Sequence, residues 1–293
     1  MKPPPFSYHD PATVSEAVAL LGRLENAKVL AGGQSLMPML NMRYVLPDHV
    51  VDINRIGDLS YIREDGDALE IGAMTRQRDL EFSDVVKAHC PLLHQAILQV
   101  GHRQTRNRGT VGGSLSHLDP SAEIPAVCAA QDAVVRITGA GGEREIPFAE
   151  FPVAYMTPAL AEDELLTSIR LPLWPKGHGA AFIEFSRRHG DFAIVAAAAL
   201  VELTGAGAIG RVSVTVSGVG PAPVRMSAME AGLVGSEPTE DVFRAAAEVC
   251  REIDALEDVH ASSSYRQHLA AVLARRALVA AADRAGENAG GGA

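Results

Sequence analysis

Apolar positions along the first part of the chain come in short bursts whose spacing changes from one burst to the next. In PATVSEAVALLGRL, Val14, Ala17, Val18 and Leu21 share one helical face, and Thr13 with Glu16 three positions on completes a capping box. KVLAGG reads as a short strand ending in paired glycines. SLMPMLNMR reads as a short helix with Ser35 as its cap, and HVVDIN and ALEIGAMT read as two further strands. From Thr75 to His102 the pattern is mostly helical, with Pro91 opening the second helix, PLLHQAILQV. Asp119 followed by Pro120 predicts a helix start, Asp as cap and Pro at the first helical position. AVVRITGAGGEREIPF predicts a hairpin turning at residues 139–142, and ELLTSIRLP a further strand.

Two prolines and two glycines in LPLWPKGHG, residues 171–179, interrupt this rhythm and mark a boundary. Beyond it, AAFIEFSRR, AIVAAAALVEL and RVSVTVSGVG read as three strands of an antiparallel sheet. Two helical patterns follow, TEDVFRAAAEVCREI and YRQHLAAVLARRALVAAADRA. No internal repeat is visible. The pattern predicts an α+β protein with a first domain at 1–176, a second at 177–285, and a flexible tail, GENAGGGA, at 286–293.

Composition narrows the chemistry. The 293 residues are 47% apolar and 21% charged, enough to build a real core, and the net charge of −10 argues against nucleic acid as a partner. Arg103, Arg106 and Arg108 form a local basic spot, better suited to a small anion than to a polymer. Cys90, Cys128 and Cys250 lie far apart, so this chain has no cysteine comb for an iron–sulfur cluster or structural zinc and no disulfide framework. The N-terminus, MKPPPFSYHD, lacks an apolar signal core, and the longest apolar run, from Ala193, is too short to span a bilayer. A cytoplasmic location and no membrane span are the expectation.

Several motifs invite chemistry and lose it on inspection. GAGAIG, residues 205–210, fits the GxGxxG pattern but runs into the alternating RVSVTVS, so it reads as a hairpin turn. A serine-hydrolase reading would use Ser114 or Ser116, His117 and Asp119, but GxSxG is absent and one loop rarely brings a triad into geometry. His89, Cys90 and His94 lack a third or fourth metal ligand, and a surface histidine pair beside a buried thiol is the simpler reading. Two glycine clusters remain: AGGQS, residues 31–35, and GTVGGS, residues 109–114. Glycines let main-chain amides approach a phosphate, Ser35 and Thr110 add hydroxyl groups, and a helix N-terminus follows Ser35. On these grounds a two-part dinucleotide clamp and a pair of ordinary turns both stand.

The segments AGGQSLMPMLNMR and NRGTVGGSLSHLDPSAEIPA resemble the two flavin-binding motifs of the medium subunit of molybdenum hydroxylases, the carbon monoxide dehydrogenase flavoprotein and xanthine dehydrogenase family. YHDPATVSEAVALL, VVDINRIGDL, EIGAMT, ELLTSIRLP and RRHGDFAIVAAA extend the resemblance over nearly the whole chain. It implies a vanillyl-alcohol-oxidase (PCMH)-type FAD-binding domain of two subdomains, followed by a C-terminal antiparallel sheet with helices. It also implies that Leu30, Ala31, Gly32, Gly33, Gln34, Ser35 and Leu36 wrap the FAD pyrophosphate, and that Thr110, Gly112, Gly113 and Ser114 make the second phosphate and ribityl contact. Ser116, Ser121 and Glu123 would line the cofactor further along, with Glu123 where relatives usually carry Asp. Val100 and Leu166 would add apolar or backbone contacts, and Phe192 stands where relatives often place an aromatic near the isoalloxazine ring, Tyr in several of them.

The same resemblance implies an oxidoreductase subunit without catalytic or metal-ligating residues of its own. Partners would be a molybdopterin-binding large subunit and a small subunit with [2Fe–2S] clusters, in a dimer of heterotrimers, with FAD passing electrons to an external acceptor. A stand-alone FAD-dependent oxidoreductase and a non-redox nucleotide-binding assembly module are the competing readings.

Overall fold

The computed structural model describes residues 1–290, and side chains through residue 288. Strand β1 (Ser7–His9) leads into α1 (Val14–Leu21), β2 (Ala27–Leu30), α2 (Leu36–Asn41) and β3 (His49–Asp52). These strands form a small parallel sheet in the order β1-β3-β2. Thr13 caps α1 as its sequence predicts, with the Glu16 amide donating to its hydroxyl at 3.1 Å and the Glu16 carboxylate accepting from Ala12 N–H at 2.8 Å.

A second, antiparallel sheet follows. Its members are β4 (Ile62–Asp65), β5 (Ala68–Gly72), β6 (Val134–Gly139), β7 (Gly142–Pro147) and β10 (Leu165–Pro172), ordered β4-β5-β10-β6-β7. A two-stranded hairpin, β8 (Pro152–Ala154) and β9 (Thr157–Pro158), precedes β10. Between β5 and β6 the chain makes six helices: α3 (Gln77–Phe82), α4 (Asp84–His89), α5 (Pro91–Gln99), α6 (Arg103–Arg108), α7 (Val111–His117) and α8 (Glu123–Ala130). Leu80, Leu92, Leu93, Ile97, Leu115 and Val127 from these helices pack on Leu69, Ile71, Val135 and Ile169 of the sheet in one apolar core.

The C-terminal sheet is antiparallel, β11 (Gly179–Phe185), β12 (Val195–Leu203), β13 (Ile209–Ser217) and β14 (Val224–Arg225) in that order. Then come α9 (Ser227–Leu233), α10 (Glu240–Ala247) and the long α11 (Ser263–Gly290). Alternation along β12 assigns the two faces: Ala197, Ala199 and Val201 join the core under α11, while Ala196, Ala198 and Leu200 join the core shared with α5 and α8. The seam between this sheet and the preceding segments is hydrogen-bonded as well as apolar. Gly218 N–H donates to Pro120 O at 2.9 Å and Ser213 Oγ to Ala130 O at 2.6 Å, while within the C-terminal part Arg266 of α11 donates to Ile194 O and Gly218 O, each at 2.6 Å.

Four local features differ from the sequence reading. VGGSLSH is helical despite its glycines, because Thr110 caps it and Gly112 packs where no side chain fits. The helix predicted from Pro120 starts instead at Glu123, since Asp119 accepts from the Ser121 amide at 2.9 Å and makes a turn rather than a cap. Ser35 flanks α2, but its hydroxyl makes no capping bond. The tail placed at 286–293 is helical through Gly290, and residues 291–293 lie outside the described residues. GAGAIG is the turn it was read to be: Thr204 N–H donates to Ala208 O at 2.8 Å, and Ile209 begins β13.

Candidate functional site

The two glycine clusters, far apart in sequence, touch. A Cβ built on Gly32 would lie 2.9 Å from both the Arg108 carbonyl carbon and Gly109 Cα, and closer still to the Arg108 carbonyl oxygen. Main chain faces main chain there, so only glycine allows the approach. One residue later Gly33 has φ +73°, which turns the chain out of β2 toward α2. In the second cluster, Gly112 N–H donates to Ala73 O at 2.8 Å, and a Cβ at Gly112 would stand 2.6 Å from the Ala73 methyl. Ala73 N–H in turn donates to Thr167 O at 2.9 Å, so the cluster is tied through Ala73 to β10 beside the buried Leu166.

Residues outside both motifs bolt the clusters together. Asn54 Nδ2 donates to Ala31 O at 2.8 Å, and its Oδ1 accepts from Arg76 Nη2 at 2.6 Å and from Arg108 Nη2 at 3.5 Å. Arg76 Nη1 donates to the Arg108 carbonyl at 2.6 Å. Asp52 sits behind them, bonded to Asn54 and to Tyr8 Oη at 2.7 Å. Burial would raise the Asp52 carboxyl, but hydrogen bonds from Asn54 and Tyr8 and the charge of Arg108 hold it below the usual range. Burial and the neighbouring Arg108 charge both depress Arg76. Two guanidinium groups thus crowd one spot, and a bound anion would relieve their repulsion.

Donors at this spot are free. Among the described residues, the main-chain N–H groups of Gly33, Gln34, Ser35 and Leu36 have no acceptor within the chain, and neither Ser35 nor Ser114 commits its hydroxyl. Thr110 accepts from Gly113 N–H at 3.1 Å and caps α7, leaving its own O–H to donate. Consecutive open amides beside two arginines form an anion cradle, and this donor set fits a pyrophosphate.

Other residues singled out by sequence are placed differently. Of the three arginines, Arg106 turns inward, paired with Glu81 at 2.9 Å and donating to Val100 O at 2.9 Å, so it braces α6 and offers nothing to a ligand. Ser114, Ser116, His117 and Asp119 form no hydrogen-bonded chain, and burial lowers the His117 pKa. His94 Nε2 meets Glu81 O at 3.2 Å and His89 pairs with Glu64 at 3.3 Å, while Cys90 is buried against Gln131. Phe192 is exposed at the end of a turn whose Gly190 abuts His102, two positions past Val100. Glu123 is 5% exposed; burial, then the Glu184 charge, push its carboxyl up to about 8. Asn54 and Ala73 lie in the segments VVDINRIGDL and EIGAMT but were given no role at the site, and Arg76 and Glu184 carried no motif signal.

The small parallel sheet, the five-stranded sheet carrying the second glycine cluster, and the C-terminal sheet under α11 together make a PCMH-type FAD-binding fold of two subdomains with a C-terminal domain. Residues 4–174 match the FAD binding domain in molybdopterin dehydrogenase, and residues 180–281 match the CO dehydrogenase flavoprotein C-terminal domain. The chain is 40% identical to 6-hydroxypseudooxynicotine dehydrogenase complex subunit alpha of Paenarthrobacter nicotinovorans, over 97% of each protein. It superposes with a TM-score of 0.94 on carbon monoxide dehydrogenase from Hydrogenophaga pseudoflava lacking the Mo-pyranopterin moiety, at 39% identity over 97% of this chain and 99% of that one. Quinoline 2-oxidoreductase from Pseudomonas putida 86 gives 0.93 at 31% identity, covering 97% and 99%. The chain therefore belongs to the FAD-binding, medium-subunit family of carbon monoxide dehydrogenase and xanthine dehydrogenase flavoproteins, and is an oxidoreductase subunit. Among the described residues no helix is long and apolar enough to cross a membrane.

Proposed function

We propose that this chain is the FAD-carrying electron-transfer subunit of a heteromeric molybdenum hydroxylase. The observation that carries this reading is the junction of the two glycine clusters, where open amides and two arginines meet. Leu30 to Leu36 would hold the pyrophosphate from one side, and Thr110, Gly112, Gly113 and Ser114 from the other. Ser116, Ser121 and Glu123 would follow the cofactor, with Val100 and Leu166 behind it and Phe192 at the ring. Residues 1–176 would form the FAD-binding domain and residues 177–285 the C-terminal one.

When bound, the flavin supplies the ability to take electrons singly and release them in pairs. The chain's own work is to neutralise the phosphates, exclude water from the cleft and fix the ring; it has no acid–base pair in the clamp. Molybdopterin and the [2Fe–2S] clusters belong to a large and a small partner subunit, in a dimer of heterotrimers, and an external acceptor drains the flavin. A cytoplasmic location is part of this reading.

Co-expression with the two partner genes tests it. The expected result is a flavin absorbance in this chain that bleaches when substrate reduces the assembled complex and persists when the iron–sulfur subunit is omitted. Bleaching by substrate in the isolated chain would favour a stand-alone oxidoreductase instead.

A further inference from the structure

The first turn of α11 carries a buried cation that the FAD reading leaves unexplained. Arg266 is 5% exposed, and its guanidinium holds three separate pieces of chain. Nη1 donates to Ile194 O and to Gly218 O, each at 2.6 Å, and Nη2 donates to Asp258 Oδ2 at 2.8 Å. Nε is sealed from solvent without a partner. Ile194 stands just before β12 and Gly218 just after β13. Their carbonyls converge on one nitrogen because Gly218, with φ +76°, has no side chain: a Cβ there would lie 2.6 Å from Ile194 O.

Each piece is tied onward. Gly218 N–H donates to Pro120 O at 2.9 Å, in the segment that follows the second glycine cluster. Ile194 comes two residues after the exposed Phe192, and its own N–H donates to Phe185 O at 2.8 Å, across the base of the turn that carries Phe192. Asp258 organises its loop through Oδ1, which accepts from His260 N–H at 2.9 Å and Ala261 N–H at 3.0 Å. Leu256 N–H joins the same loop to Val219 O at 2.8 Å. α11 is seated without Arg266, since Leu269, Leu273, Ala277 and Ala281 bury its apolar face in the core shared with β12 and β13. What Arg266 adds is a fixed relation among three loops at one end of the C-terminal sheet. A guanidinium suits this task, because its planar fork reaches two carbonyls and a carboxylate at once, which a single ammonium does not.

We propose that Arg266 is a positioning residue that fixes the turn carrying Phe192 against the Pro120 segment, and thereby sets the protein surroundings of the flavin ring without taking part in the phosphate clamp. The flavin half of this statement rests on the placing of Phe192 at the ring; the tie between the segments does not.

The test of the tie is hydrogen exchange at the Ile194 and Gly218 amides of the full-length chain without FAD, in Arg266→Lys and Asp258→Asn. Glu70→Gln is the control, because its partners Tyr61, Arg63 and Arg136 belong to none of the three loops. Removing one partner of a buried charged group leaves the others uncompensated. Both amides should therefore exchange about tenfold faster than wild type in either variant, and no faster than the rest of the chain in the control. After loading with FAD, the variants should bind it within about threefold of wild type, since Arg266 touches neither glycine cluster. Their flavin absorption band and midpoint potential should both be displaced. Ile194 and Gly218 amides that exchange at the control's rate in either variant overturn the tie, and Asp258→Asn decides alone if Arg266→Lys does not fold. A wild-type band and potential in a variant whose amides have loosened overturn the role at the ring. Failure of the wild type to take up FAD overturns the placing of Phe192 instead, and the exchange rates still decide the tie.

Discussion

Replacing Gly32 with Ala probes the contact on which the clamp depends. The new methyl would stand 2.9 Å from Arg108 C and from Gly109 Cα, whereas carbon atoms rest at about 3.5–4.0 Å. The obstacles are backbone atoms, and Arg108 O is pinned by Arg76 at 2.6 Å, so no side chain can swing away. The two loops must therefore part by roughly 1 Å. Overpacking of this kind costs about 1–3 kcal/mol. If about 2 kcal/mol falls on the clamped conformation, FAD affinity drops by about 30-fold at 1.4 kcal/mol per factor of ten. Fluorescence quenching during FAD titration of the apoprotein reads this directly. Gly57→Ala is the control, because a Cβ there meets nothing within 4 Å. Wild-type affinity in Gly32→Ala, or equal losses in the two variants, would show that the contact of Gly32 with Arg108 and Gly109 does not hold the clamp.

Further expectations follow from individual contacts. Thr110→Val removes the cap of α7, whose hydroxyl accepts from Gly113 N–H at 3.1 Å; the cost is about 1 kcal/mol, seen as a melting temperature about 2–4 °C lower. Glu70, 1% exposed, accepts from Tyr61 at 2.6 Å, Arg63 at 2.8 Å and Arg136 at 2.9 Å. Burial would raise its carboxyl, but Tyr61, Arg63 and Arg136 outweigh it and hold the group below its ordinary value. Its stabilisation is therefore present above the unfolded pKa and lost as pH falls through the native one. Glu70→Gln should cost about 2 kcal/mol at pH 7, less than a fully buried pair because Arg63 is exposed, and the gap to wild type in urea denaturation should close as pH falls through the lowered native pKa of Glu70. Cys90, Cys128 and Cys250 are buried, and burial pushes Cys90 up to about 11 and Cys250 up to about 12. A thiol reagent should find none of them in the native protein and all three in denaturant.

Local patterns carried most of the element order, because helix caps, paired glycines and strand alternation act over a few residues. Thr13 with Glu16, Pro91, the turn at 205–210 and the hairpin at 139–142 are of this kind. What escaped depends on distant partners. VGGSLSH has poor helix propensity, and its glycines are accounted for by the approach of Ala73 to Gly112 and of Thr110 Oγ1 to Gly113. Asp119–Pro120 carries a helix-start signal, yet the Asp119 side chain satisfies Ser121 and delays the helix to Glu123. Both glycine clusters were visible in sequence, but their mutual contact was not, nor was the brace that Asn54 and Arg76 make with Arg108, which joins three separate segments.

FAD titration of the purified apoprotein asks whether the two glycine clusters hold the cofactor. Saturable quenching at one FAD per chain is expected, with the visible spectrum of a bound flavin retained after gel filtration. No flavin uptake by a folded wild-type chain would contradict it.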